Sequence, residues 1–102
     1  MSGPSPRPLA GIRVVDFSSM IAGPYCSRLL ADCGAEVLKI EERTGDHMRT
    51  GRPLRDGHSA YFGHLNCGKK SLAVDLKDRR AARSQPTSWR RAMSCWRITG
   101  LA

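Results

Sequence analysis

The stretch that decides the fold is residues 12–41, IRVVDFSSMIAGPYCSRLLADCGAEVLKIE. Ile12–Phe17 is β-branched and aromatic, which predicts a short strand buried on at least one face. A helix is predicted within Pro24–Cys33, because proline suits a first helical turn, where its missing N–H would have had no partner. Glu36–Ile40 then alternates as a second strand. Strand, helix and strand in about 30 residues predict a βαβ unit of an α/β fold.

The predicted helix has one apolar face. Cys26, Leu29, Leu30 and Cys33 fall at positions i, i+3, i+4 and i+7. Residues at this spacing lie on the same side of a helix. We therefore expect these four side chains to face the sheet.

Three further elements follow the βαβ unit. Residues 42–57 are polar, with three glycines and a proline, and are predicted to form a long loop. Ser59–Asn66 is compatible with a short helix capped by Ser59. Ser71–Leu76 is predicted to be a third strand.

The charge of the chain is concentrated at one end. Lysine and arginine number 17 against 9 acids, and six of the 17 are arginines within residues 79–102, which contain no acid. We divide the chain into a flexible arm, residues 1–8, a family domain, residues 9–78, and an irregular basic tail, residues 79–102. The tail has no foldable pattern, and we expect no stable packing there.

Other features narrow the class of protein. No apolar run approaches the roughly 20 residues that a membrane span needs, and no apolar core of a signal peptide is present. Four cysteines without metal-ligand or CxxC spacing indicate reduced thiols in a cytoplasmic protein. The three histidines lack partners at metal spacing, so we expect no metal. Neither a membrane nor a nucleic acid is expected as a partner, although a small basic nucleic-acid-binding module stays an alternative.

Ordered short motifs between residues 8 and 78 carry a resemblance to a known family. They are Pro8-Leu9-x-Gly11, Asp16, Ala22-Gly23-Pro24, Leu30-Ala31-Asp32-x-Gly34-Ala35, Lys39-x-Glu41, Gly45-Asp46, Tyr61-Phe62, Asn66-x-x-Lys69, Ser71 and Asp75-Leu76-Lys77-Asp78. With these motifs the chain resembles the N-terminal portion of the class III coenzyme A transferases (the CaiB/BaiF type). That family includes formyl-CoA transferase, carnitine-CoA transferase and α-methylacyl-CoA racemase. The motifs do not separate transferase from racemase.

The resemblance implies that coenzyme A (CoA) lies along this Rossmann-like half as a substrate. By position, the implied CoA-binding residues are Ile21, Ala22, Glu42, Val74, Asp75, Leu76 and Lys77. A lysine such as Lys77 suits phosphate, and a helix start at Gly23-Pro24 favours anions. Glu42 falls where formyl-CoA transferases tend to carry an arginine, and an acid cannot pair with phosphate. Val74 and Leu76 also fit a purely structural role in the core.

The resemblance also implies a mechanism. An aspartate attacks the acyl-CoA thioester, which releases CoA thiolate and gives a mixed anhydride. The CoA thiolate then attacks the aspartyl carbonyl, and the substrates are an acyl-CoA and a carboxylate. That aspartate lies beyond the matching region, so no catalytic residue is assigned here, and we expect the fragment to be inactive. The family forms interlocked homodimers, which this fragment is not expected to form. The alternative within the superfamily is an acyl-CoA racemase fragment.

The tail is compatible with a shifted reading frame. Synonymous codons exist for which residues 94–102, read from the last base of the Met93 codon, give Val-Leu-Leu-Glu-Asn-Tyr-Arg-Pro-Gly. The same shift over residues 79–83 permits Pro-Glu-Gly-Arg-Ala. Both resemble segments that follow Asp-Leu-Lys-Asp in the family. We therefore expect residues 79–102 to arise from a frameshift, in a disrupted gene or through a sequencing error.

Overall fold

The chain begins with the predicted βαβ unit. The computed structural model describes residues 6–75, 77, 78, 80, 83 and 89. Strand β1 spans Arg13–Asp16, helix α1 spans Ala22–Asp32, and strand β2 spans Glu36–Glu41. The two strands are parallel, with Asp16 opposite Lys39. The α/β class and these three elements are confirmed, with ends that differ from prediction by one or two residues.

The predicted inner face of α1 is wrong. Cys26 and Cys33 are exposed, and Leu29 is 46% exposed. Of the four residues only Leu30 packs against the buried cluster formed by Ala31, Ala35 and Val37. The buried face instead contains the small side chains Pro24, Ser27 and Ala31. Small residues allow the helix backbone to approach the sheet closely, and Ser27 also hydrogen-bonds a carboxylate of β1.

The polar segment after β2 contains more structure than a loop. It includes a 3-10 helix, His47–Thr50, and strand β3, Leu54–Arg55. Strand β3 pairs antiparallel with β4, His58–Ser59, in a short hairpin. The hairpin leads directly into the next helix.

The second helix and the third sheet strand follow the hairpin. Helix α2 spans Ala60–Leu65, and the Ser59 side chain accepts a hydrogen bond from the Phe62 N–H, as the predicted cap requires. Strand β5 spans Lys70–Ala73, so it starts one residue earlier than predicted and ends before Leu76. It joins a three-stranded parallel sheet in the order β1-β2-β5.

The central strand β2 has two different faces. Val37 packs with Ala31 and Ala35 on the α1 side. Leu38 and Ile40 point to the opposite side and pack with Trp89, with Val15, Leu72 and Val74 around them. Because neighbouring residues of a strand point to opposite faces, Lys39 and Glu41 share the α1 side with Val37.

Trp89 corrects one expectation for the basic tail. Its side chain is 8% exposed, and the Arg13 guanidinium carbon lies 5.8 Å from its ring centroid. The expectation that the tail packs nowhere is therefore wrong at Trp89, whose large ring covers apolar sheet residues. Arg80 and Arg83 are exposed, and the other tail positions lie outside the described residues.

Among the helices of the described part, none has the length and apolar character to cross a membrane.

Candidate functional site

The candidate site is the edge of the sheet at the carboxyl ends of its three strands. Ile21 and Ala22 follow β1, Glu42 directly follows β2, and Val74, Asp75 and Lys77 follow β5. The strands are parallel, so these three segments meet at the same edge. Ligands of open α/β sheets bind at this edge. The fold thus brings together the segments that the resemblance implied, although their contact with CoA stays a prediction.

The implied residues differ in how accessible they are. Ile21 is 46% exposed, and the exposed set also includes Ala22, Glu42, Asp75 and Lys77. Val74 is different, because its side chain packs against the buried cluster of Leu38, Ile40 and Trp89. Its N–H also donates to the Glu41 carbonyl at 2.9 Å. The core role considered for Val74 therefore fits its packing. Leu76 lies outside the described residues.

The start of α1 is open to this edge. Its N-cap residue is Ile21, whose side chain makes no capping hydrogen bond, and no acid lies in the first turn. The free N–H groups and the helix dipole favour an anion at such a position. This end of α1 can therefore receive a negatively charged group.

Asp16 ends β1 beneath this helix start and is buried. One oxygen, Oδ2, accepts hydrogen bonds from Ser27 Oγ at 2.6 Å and Lys69 Nζ at 3.0 Å. The other, Oδ1, accepts from the Ser18 N–H at 2.8 Å and from the Ser18 hydroxyl. Burial raises the pKa of Asp16, but these donors outweigh it, and the pKa lies below its ordinary value. Asp16 is therefore an anchored anion.

Lys69 is the buried cation beside Asp16. Its Nζ also donates to the Pro24 carbonyl at 2.9 Å and to Asn66 Oδ1 at 2.8 Å. Burial lowers the pKa of Lys69, although the Asp16 carboxylate acts in the opposite direction. All three ammonium donors have partners within the protein. Lys69 thus joins β1, α1 and the end of α2.

A second buried ion pair lies on β2. Lys39 Nζ is 2.9 Å from Asp46 Oδ2, and each side chain is 2% exposed. The same Nζ donates to the Ser18 carbonyl at 2.9 Å. Asp46 in turn caps the 3-10 helix by accepting from the Met48 N–H. This pair connects the β1–α1 loop with the segment that follows β2.

Glu41 completes the polar layer at the end of β2. It accepts two hydrogen bonds at 2.7 Å from the Arg49 guanidinium, one at each oxygen. The Asp46 N–H at 2.9 Å and the Ser71 hydroxyl also donate to it. Arg49 has the largest effect, and with the other donors it lowers the pKa of Glu41 to about 2 despite burial. The carboxylate therefore stays ionised and holds three segments together.

Sequence reasoning gave no role to this buried polar layer. Its members are Asp16, Lys39, Glu41, Asp46 and Lys69, and the exposed Ser71 of β5 donates to Glu41 from outside the layer. Every one of them is among the motif residues that carry the family resemblance. That membership was the available signal, because alternation alone treats a charged residue of a strand as facing solvent. Within the described residues, no three His, Cys, Asp or Glu side chains gather as a metal-binding group.

Comparison with known proteins identifies the family. Residues 9–84 match the family model described as CoA-transferase family III. The chain belongs to CoA-transferase family III. The match begins at Leu9 and extends to residue 84, which is six residues into the basic tail.

Named relatives and a solved structure agree with this membership. The chain is 43% identical over 81 residues to succinyl-CoA:glutarate CoA-transferase of Mus musculus. The aligned region covers 78% of this chain and 19% of the relative. It is 45% identical over 74 residues to succinyl-CoA–D-citramalate CoA-transferase of Chloroflexus aurantiacus, covering 71% and 18%. A crystal structure of a hypothetical protein from Mycobacterium tuberculosis matches with a TM-score of 0.69 at 40% identity, covering 80% and 22%. The chain thus spans about a fifth of the length of these relatives.

Proposed function

We propose that this chain forms part of the CoA-binding half of an enzyme that transfers CoA between an acyl-CoA and a carboxylic acid. The observation that carries the proposal is the meeting of three segments at one sheet edge in a member of CoA-transferase family III. The relatives described above are named as CoA-transferases, which favours CoA transfer over racemisation. No observation favours nucleic-acid binding.

The proposed contacts follow from chemistry and accessibility. Ile21 and Ala22 offer backbone at the open start of α1, where an anionic group of CoA would meet free N–H groups. Lys77 is an exposed cation beyond β5 and would pair with a phosphate. Glu42 is exposed but has the wrong charge for this task. Val74 would contribute backbone only, because its side chain is packed.

Binding of CoA to the 102-residue chain tests this proposal by isothermal titration calorimetry. Replacing Lys77→Ala should weaken binding several-fold, because a charge-assisted hydrogen bond is worth about 1.5–3 kcal/mol when buried and less when exposed. Lys70→Ala is the matched control, since Lys70 is an exposed lysine of β5 engaged with Glu36 at 2.7 Å. The proposal would be contradicted if the chain did not bind CoA at millimolar concentration. It would also be contradicted if Lys77→Ala and Lys70→Ala lost the same amount of CoA affinity.

We also propose that a polypeptide of these 102 residues does not catalyse CoA transfer. The support is the length ratio, because the chain covers 19% of the mouse relative, and the resemblance assigns the nucleophilic aspartate to a later segment. For the same reason we do not expect it to form the interlocked homodimer. Acyl exchange above the buffer rate by purified chain, measured with succinyl-CoA and glutarate, would contradict this.

The frameshift origin of the tail is a proposal of a different kind. It is supported by the six arginines of residues 79–102 and by the two family motifs that the shifted frame permits. The nucleotide sequence across codons 70–110 tests it directly. We expect a second reading frame of this nucleotide sequence to encode the continuation of the family sequence. The absence of such a reading frame would overturn the proposal.

A cytoplasmic location is proposed from the thiols. Cys26, Cys33 and Cys67 are free and exposed, which suits a reducing compartment better than an oxidising one. Cell fractionation with thiol-specific labelling tests this. Recovery of the chain with these cysteines oxidised in an extracellular fraction would contradict it.

A further inference from the structure

The β1–α1 loop has a backbone conformation that requires an explanation. Met20 adopts a φ of 69°, in the left-handed region. Within the described part of the chain, the other non-glycine residue with positive φ is Asp56 (φ 51°). Asp56 precedes Gly57 in the turn of the short hairpin, where Asp-Gly commonly adopts this conformation. Met20 has no polar side chain to favour it, so the surroundings must hold it.

Lys39 fixes the loop on the side before Met20. From the central strand its ammonium donates to the Ser18 carbonyl at 2.9 Å and pairs with Asp46 at 2.9 Å. Asp16 holds the other side of the same residue, because it accepts from the Ser18 N–H at 2.8 Å. Both polar groups of the Ser18 backbone are thus bound to side chains of the sheet.

Lys69 fixes the loop on the side after Met20. It donates to the Pro24 carbonyl in the first turn of α1 and to Asp16, at 2.9 and 3.0 Å. A side chain at Gly23 would overlap that of Ser18, so glycine allows the two ends of the loop to come together. Residues 19–22 are therefore held between two anchored ends.

We propose that Lys39 and Lys69 are positioning residues that hold the β1–α1 loop, residues 17–21, in the conformation that presents Ile21 and Ala22 to CoA. The inference rests on the proposed function for the identity of the ligand. A buried ion pair is often no more stabilising than apolar residues of the same volume, so fold stability alone is a weak reason for these lysines. Their bonds to the Ser18 and Pro24 carbonyls act on the loop specifically.

Substitution of each lysine by methionine tests the proposal, because methionine retains most of the volume but cannot donate. In Lys39→Met and Lys69→Met, hydrogen exchange of the amides of residues 18–23 should rise about tenfold or more in the unliganded chain, the effect of losing one charge-assisted hydrogen bond. Exchange of the β2 amides should change much less. CoA affinity, measured by calorimetry, should fall by a similar factor.

Two controls separate positioning from general loss of stability. Lys70→Met removes an exposed lysine next to Lys69, and should change neither the loop exchange nor the affinity. Val37→Ala weakens the core away from the loop, and should raise exchange throughout the sheet. Loop exchange and affinity that stay at wild-type values in both lysine variants, or that change only in parallel with β2 as in Val37→Ala, would overturn the proposal.

The two measurements also distinguish this inference from the proposed function. If the wild-type chain binds no CoA, the proposed ligand is wrong, while loop exchange still decides whether the lysines order the loop. Should Lys39→Met not fold, Asp46→Asn tests the same link with an isosteric change. It should raise loop exchange above wild type, and unchanged exchange would count against Lys39.

Discussion

Arg49 lies over the ring of Phe62, with its guanidinium carbon 4.2 Å from the ring centroid. The same guanidinium makes paired hydrogen bonds to the Glu41 carboxylate. One side chain of the 3-10 helix thereby joins the end of β2 to α2. A planar group is needed to stack on a ring and bind two oxygens at once.

Replacing Arg49→Lys should therefore destabilise the fold although the charge is kept. Lysine is a point cation and cannot retain both hydrogen bonds and the ring contact, so we expect a loss of about 1–2 kcal/mol in the free energy of unfolding. Urea denaturation followed by circular dichroism measures it. Arg55→Lys, at an exposed position of β3, is the control and should change stability by less than about 0.5 kcal/mol. Equal effects in the two variants would contradict this role of Arg49.

Acid should weaken the fold through Glu41. Its pKa is lowered from 4.5 to about 2 in the folded chain, so the stabilisation is fully present above about pH 4.5 and is lost as the pH falls towards 2. Asp16 acts in the same direction, since its pKa is also lowered. Glu41→Gln should be less stable than wild type at pH 7, with a smaller further loss between pH 4.5 and 2.

Urea denaturation at several pH values measures this dependence. Glu42→Gln is the matched control, because Glu42 is the adjacent residue and is exposed. Its stability should follow the wild-type pH profile. An acid dependence that Glu41→Gln leaves unchanged would assign the acid sensitivity to other carboxylates.

The corrected face of α1 leads to opposite expectations for two of its residues. Leu29→Ser should change stability by less than about 0.5 kcal/mol, because Leu29 is 46% exposed. Ala31→Leu should cost about 1–3 kcal/mol, because Ala31 is buried against Ala35 and Val37. Thermal denaturation compares them. If Leu29→Ser were instead the more destabilising of the two substitutions, the inner face of α1 predicted from hydrophobic spacing would be correct after all.

Trp89 should report on its own burial by fluorescence. In a Trp96→Phe background Trp89 is the only tryptophan. Packing against Leu38 and Ile40 predicts blue-shifted emission and weak quenching by acrylamide, both lost in urea. Val74→Ala, on the same face, should shift the emission towards the red. Emission like that of free tryptophan in the native chain would show that this contact does not form.

Local signals predicted the elements of this fold better than their packing. The strands and the helix of the βαβ unit and the Ser59 cap follow from β-branched residues, a Gly-Pro pair and a capping serine. The inner face of α1 did not follow, because counting apolar residues ignores how closely a helix must approach a sheet. Trp89 was also missed, since its buried partners Leu38 and Ile40 are about 50 residues away in the chain, beyond the reach of any periodicity.

The site was predictable in position but not in its supporting chemistry. The resemblance placed the CoA-binding segments at strand ends, where the sheet brings them to one edge. The buried pairs Lys39–Asp46 and Lys69–Asp16 join residues distant in sequence. Their pairing depends on the tertiary fold, which a single sequence does not encode as a local pattern.

The change in polarity along the α1 side of β2 has a consequence for folding accuracy. From Val37 through Lys39 to Glu41, successive side chains on that side pass from apolar to charged. A slip of β2 by two residues would keep every side chain on its proper side, so hydrophobic alternation alone would tolerate it. The slip would, however, move the Lys39 ammonium towards Val14 and Ala31 and away from Asp46 and Ser18. The buried charges therefore make mispaired sheets costly, and they favour a single alignment of the three strands.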